Sequence, residues 1–267
     1  MSNEIRSPFR ALGEGTNTLN NTLKKLATGK RINSASDDAA GLAIANSLAT
    51  DISVSQQSRR NTAEASSALN IADGAYQQLN DMSGRMAELA TQASSPILSA
   101  DQRSSLDAEY QQLKQETSRI TATTEFNGVK LLAGQSISVQ VGRDRSANSS
   151  LTVTSPDVTT LTSSIAADSL STDTGARTAL DNVRSFVDNL SQTRGIAGSF
   201  ASRLDSASNI AAISEEGMAA ARSQIEDYDY AQGVADKTAA QIRQSVSASL
   251  VGQSSRLNGQ VALSLLS

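Results

Sequence analysis

The chain has 267 residues and a net charge of −4, and is 38% hydrophobic but only 3% aromatic. It contains no His and no Cys, which excludes imidazole bases, His-dependent triads, thiolate nucleophiles, zinc–thiolate sites and disulfides. Aromatics supply the largest single burial contributions in a compact core, so packing here falls to Ala, Leu, Ile and Val, which suits helix seams. No catalytic site, metal or cofactor is expected.

The opening residues, "MSNEIRSPFRALGEG", hold no apolar run of the kind a cleaved secretory signal needs, and no stretch reaches the ~18–20 apolar residues of a membrane span. Leu12, Leu19, Leu23 and Leu26 then form a thin apolar stripe. Lys24, Lys25, Lys30 and Arg31 are the basic cluster. Without interleaved aromatics it reads as a solvated helix end, not a nucleic-acid site. A polar break follows in "GKRINSASDD", with Gly29, Arg31, Asn33, Ser36, Asp37 and Asp38, before an Ala-rich helical pattern resumes. Ser36 and the two Asp residues suit a helix start by capping and by charge.

Leu69, Ala72, Tyr76, Leu79, Ser83, Met86, Ala90 and Ala93 recur in steps of three and four, as do Leu106, Tyr110, Leu113, Thr117 and Ile120. Such spacing marks long helices wound on one another, with small residues allowing close approach. Pro96 separates the two stripes, and Ser99 with Gln102 has capping-box spacing. Past Asn127-Gly128 the period falls to two. Ser136 to Val141 reads as a half-buried strand, and the segment from Leu151 as its hairpin partner. Ser146 to Thr174 is rich in Ser and Thr and reads as a solvated surface loop carrying candidate O-glycosylation sites. Helical pattern returns near Gly175, with Val183, Leu190, Ala197, Leu204, Ala211, Met218 and Ile225 recurring every seven residues. The acidic runs "EEG" and "IEDYDY" lie within helical pattern, which points to a polar face and away from a calcium loop. Ile242, Val246, Leu250, Leu257, Val261 and Leu265 form a last stripe, and the two terminal stripes are predicted to make a coiled-coil seam with each other or with copies of themselves.

"LATGKRINSASDDAAGLAIANSL" resembles the N-terminal signature of bacterial flagellins. "ALNIADGAYQQLNDMSGRMAELATQAS", "EFNGVKLLAG", "RSQIEDYDYAQGVADKTAAQI" and the final "LSLL" are similar to further blocks of that family, in the family's order. Residues 143–174 fall outside the resemblance. It implies a mainly α fold of long antiparallel helices in a coiled-coil-like bundle with a small β-hairpin region. Residues 1–40 with 230–267 would form an inner terminal coiled coil, and 41–142 with 175–229 an outer bundle. Residues 143–174 would be a short surface insertion, making this a minimal form of the family.

The implied function is a non-catalytic subunit polymerising into the flagellar filament for swimming, exported by the flagellar type III apparatus without a cleaved signal. The implied partners are further copies of itself, an export chaperone, cap and junction proteins, and an innate immune receptor. Arg85, Leu89 and Glu109 match the family's receptor-recognised positions and serve equally as subunit-packing residues. Neither nucleic acid nor membrane is an expected partner. "GKRINSASDD" becomes an interlayer joint. The atypical opening residues and Arg243, where an apolar residue is frequent in the family, depart from the pattern in the inner layer. The alternatives are a hook–filament junction protein and a phage or adhesin coiled-coil fibre.

Overall fold

The computed structural model describes residues 2–144, 146–154 and 157–266. Among these are six α-helices and two small antiparallel strand pairs: α1 (Ser2–Thr28), α2 (Ala39–Ala93), α3 (Ala100–Thr123), β1 (Glu125–Phe126), β2 (Val129–Lys130), β3 (Ser136–Gln140), β4 (Ser150–Thr154), α4 (Val158–Ala166), α5 (Asp173–Glu226) and α6 (Tyr230–Leu266). The fold is mainly α, as the heptad spacing requires. Two units are distinguished by their internal contacts: residues 53–215, and residues 1–52 with 216–267.

In the unit of residues 53–215 the heptad stripes are the core. Ala72, Tyr76, Leu79, Ser83, Met86, Ala90 and Ala93 of α2 are buried, together with Tyr110, Thr117 and Ile120 of α3 and Val183, Leu190, Ala197, Leu204 and Ala211 of α5. The buried Ser83 costs little because its Oγ donates to the Leu79 carbonyl at 2.6 Å. Between α2 and α3 the chain reverses through a turn containing Pro96. Ser99 Oγ then accepts from the Gln102 amide while the Gln102 side chain accepts from the Ser99 amide, closing the predicted capping box.

Phe126 pairs with Val129 across Asn127 and Gly128, whose φ angles are 51° and 78°. Two successive left-handed residues form the turn that matches strand twist, and Asn-Gly is the pair that adopts it most readily. β3 and β4 pair in register, Ile137 opposite Val153 and Val139 opposite Leu151. Val139, Leu151 and Val153 are buried and cluster with Leu204, against Leu69 and Phe200.

The Ser/Thr-rich stretch differs from the expected solvated loop. It contributes β4 and α4, and it buries Val158, Ile165, Asp168 and Leu170. Asp157 caps α4, its carboxylate accepting from the Thr159 hydroxyl and from the Thr159 and Thr160 amides, and these bonds, the hydroxyl's foremost, hold that carboxyl below its usual range. On α4 the Thr162, Ser163 and Ser164 hydroxyls donate to carbonyls three or four residues back. They need no other partner, and sparse apolar residues at helical spacing turn inward against α3. Pro156 lies outside the described residues.

A polar cluster ties the segment after α4 to its neighbours. Lys114 Nζ donates to the carbonyls of Ala166 (2.6 Å) and Asp168 (2.8 Å). The Asp168 carboxylate accepts from Asn182 (2.8 Å) and the Tyr110 hydroxyl (3.3 Å), and the Leu170 amide donates to Asp107 (2.6 Å). Burial lowers the Lys114 pKa and, aided by the Asp168 charge, raises that of Tyr110 far above its ordinary value.

Candidate functional site

The polar break between α1 and α2 is built within the unit of residues 1–52 and 216–267. Gly29, with φ 68°, takes the left-handed position that ends α1. Its carbonyl accepts from the Tyr228 amide (2.9 Å), and the Arg31 amide donates to the Glu226 carbonyl (2.6 Å). Lys30 thereby forms an isolated antiparallel bridge with Asp227. The turn after α1 and the turn between α5 and α6 are thus a single paired structure. Side chains reinforce it. Lys30 Nζ and Arg222 Nε both donate to the buried Glu226 carboxylate, which lies below its usual pKa chiefly through the Lys30 hydrogen bond. The Arg31 guanidinium reaches the Ile225 carbonyl at 2.7 Å, and Asn33 Nδ2 donates to the Lys30 carbonyl at 2.8 Å.

The three predicted capping residues divide their work. Asp38 alone caps α2, its Oδ1 accepting from the Gly41 amide at 2.8 Å. A side chain on Gly41 would displace the Asp38 carboxylate that caps α2 and the tip of the buried Ile32 side chain. Asp37 instead gathers the Asn33 amide (3.0 Å), the Ser34 amide (3.0 Å) and the Ser34 hydroxyl (2.9 Å), which depresses its carboxyl pKa. Among the described residues Ser36 Oγ meets only Ser34 Oγ, at 2.8 Å. On the other side Asp229 caps α6 through the Ala231 and Gln232 amides. Tyr228 donates to Asp236 and lies under Lys25 Nζ, 6.0 Å from the ring centre. From sequence alone Glu226, Asp227, Tyr228 and Asp229 read as part of a solvated or inter-subunit polar face. Their dense acidic and turn-forming composition was the available signal, but their partner lay about 200 residues away in sequence.

α1 and α6 pack together, through small residues. Thr22, Ala240 and Gly233 are buried, Gln244 Nε2 donates to Thr16 Oγ1 at 3.2 Å, and Gly15 lies against the Gln244 backbone. Leu12, Leu19 and Leu26 are half-buried, and Leu23 is exposed. Ile242, Val246 and Leu250 are 59%, 52% and 53% exposed, so α1 of the same chain does not cover them. Two helices bury only the faces they turn to each other, and the close approach at Gly233 and Ala240 selects the small-residue face of α6. The side chains of Leu257, Val261 and Leu265 lie outside the described residues.

Arg85 and Glu109 bridge α2 and α3 at 2.8 Å with both side chains about half exposed, and Arg85 also reaches Glu88 at 3.0 Å. Leu89 is 1% exposed and belongs to the core, so it presents no surface beside them. Among the described residues, no group of three or more acidic side chains is arranged to hold a metal, and no helix is long and apolar enough to cross a membrane.

The family model for the bacterial flagellin N-terminal helical region matches residues 7–137, and that for the C-terminal helical region matches residues 180–266. A flagellin of Halalkalibacterium halodurans is 31% identical over 259 residues, covering 96% of this chain and 95% of that protein. The chain belongs to the bacterial flagellin family. The flagellar filament 30.7 kDa core protein of Treponema maltophilum is 28% identical over 97% of this chain and 95% of its own length. The crystal structure of Bacillus cereus flagellin matches with a TM-score of 0.52 at 30% identity, covering 57% of this chain and 88% of that one. As a flagellin, the chain is a structural, self-associating subunit of the extracellular flagellar filament, and it is not an enzyme.

Proposed function

We propose that the flagellin divides its work between its two units. Residues 53–215 form a closed, self-sufficient body for the outer layer, while the terminal helices α1 and α6 form an inner layer completed only by neighbouring copies. The carrying observation is the stripe of Ile242, Val246 and Leu250 on α6, left exposed by a partner helix from the same chain. Contiguous exposed apolar side chains of this kind mark association surfaces, and a helix pair so thinly packed is marginal on its own. The joint of Gly29, Arg31, Asn33, Ser36, Asp37 and Asp38, clasped to residues 226–229, carries load between the layers. Exposed Ile210 and Ile213 on α5 serve lateral contacts in the same way.

Seeded polymerisation tests the division. Full-length protein added to filament fragments elongates them. Chains trimmed of residues 1–30 or 240–267 stay monomeric, with the body of residues 53–215 still cooperatively folded. Trimmed chains that elongate as fast as the intact one would refute the role given to the termini. The family resemblance supports an export chaperone, cap and junction proteins as further partners. It also supports recognition of the exposed Arg85–Glu109 pair by an innate receptor, with Leu89 acting as packing beneath.

A further inference from the structure

An apolar groove opens on the unit of residues 53–215, where the strand pairs meet α2 and α5. Its volume is about 360 Å³, and its lining includes Leu69, Tyr76, Ile137, Val139 and Phe200. Nothing in the filament reading uses it. Elsewhere on the same unit the turn between α2 and α3 presents Ile97, 91% exposed. That turn is held firmly. Arg103 donates to the Ser95 carbonyl at 2.9 Å, the Leu98 amide to the Ser95 carbonyl at 3.4 Å, and the capping box fixes the start of α3 directly behind. A large apolar side chain on a pinned turn is a preorganised knob, which loses little freedom on docking.

We propose that Ile97 of one flagellin inserts into this groove on a second copy, as the head-to-tail contact of the filament. The knob cannot reach its own groove. From Ala72, in the groove wall, to Ala93, at the end of α2, the helix rises roughly 32 Å at 1.5 Å per residue. A knob and a hole so displaced along one axis make a heterologous contact that does not close, which propagates a filament. Charge agrees with this pairing. Arg203 lies over the Phe200 ring, 5.6 Å away, at the α5 wall of the groove, and makes no ion pair among the described residues. Asp101 is exposed in the first turn of α3, four positions after Ile97, and arrives with the knob. Glu64 lies on the α2 wall, so the positive charge is local to the Phe200 end.

The inference rests on the self-assembly reading, and seeded elongation by the full chain separates the two. Ile97→Asp removes the knob, and Glu64→Trp blocks the groove from an exposed position on its α2 wall. Both should melt as the wild type does, because neither side chain is buried, yet each should elongate wild-type seeds at least tenfold more slowly. The contact is polar, so the two should fail differently. One retains the half needed to add to the growing end, and then stops further growth, while the other does not add. Arg203→Glu should slow elongation, and Asp101→Arg in the same chain should restore it. Elongation by both Ile97→Asp and Glu64→Trp at the wild-type rate would overturn the inference and leave the filament reading intact. Failure of the wild-type chain itself to elongate seeds would overturn both.

Discussion

Replacing Lys114 with Met tests whether the polar cluster after α4 holds the fold together or merely fills it. The side chain volumes are similar, so the change removes two hydrogen bonds from a charged donor and little else. Each such bond is worth about 1.5–3 kcal/mol. The Asp168 carbonyl keeps Gln111 as a donor at 3.0 Å, whereas the Ala166 carbonyl loses its side-chain donor. Against this loss stands the recovered cost of burying an ammonium group, which offsets part of it. The net expectation is a loss of about 2 kcal/mol, or roughly 4–8 °C in Tm for a unit of this size. Circular dichroism melting gives the stability, and hydrogen exchange by mass spectrometry gives the place. Protection should fall first across residues 166–170. The pH dependence supplies an independent sign. Burial holds the Lys114 pKa below its unfolded value of about 10.4. Between the two values the unfolded chain holds the extra proton, so wild-type stability gains with rising pH through that window. The Met variant lacks this gain, and the gap between the two proteins should widen from neutral pH towards 10. A Tm within 1 °C of wild type, or unchanged protection at residues 166–170, would refute the clamp.

Tyr110, with its pKa raised, stays protonated in the folded unit when the unfolded chain would ionise, so folding stability falls above about pH 10. Tyr110→Phe should abolish that fall in alkaline denaturation curves. Glu226 has a lowered pKa, so its stabilisation is complete above about pH 4.3 and is lost as pH falls through the folded value. Exchange of the Arg31 and Tyr228 amides should accelerate in that acid window, and Glu226→Gln should make them equally fast at neutral pH. Asp38→Ala removes the cap of α2 and should cost about 1 kcal/mol, read as faster exchange of the Gly41 amide with the rest of the helix unaffected. Leu79→Ala, at a position with no exposure, should cost about 2–5 kcal/mol and broaden no other transition in calorimetry.

Local patterns in the sequence determined most of the long helices and their buried faces. The stripes from Leu69 to Ala93 and from Val183 to Met218 are core because period 3.5 spacing puts those side chains on a single face, whatever the partner. The Ser99–Gln102 box was legible for the same reason, because it rests on the intrinsic preference of a few adjacent residues. The Asn127-Gly128 turn and the Gly29 helix end rest on equally local preferences, but the pattern showed only a change of period and a polar break there. Tertiary structure decided what depends on distant partners. α4 was hidden because Ser and Thr dominate its composition, and only contact with α3 rewards Val158 and Ile165. Lys114 became a buried clamp because Ala166, at the end of α4, and Asp168, just past it, present carbonyls to it. Asp37 and Asp38 took different roles because the turn folds back on itself. Residues 226–229 became the other half of the joint because the chain returns there after a long excursion. Ile242, Val246 and Leu250 form an apolar stripe in the sequence, but which face of α6 meets α1 was settled by the small buried residues Gly233, packed against Leu26, and Ala240. That packing left the stripe exposed.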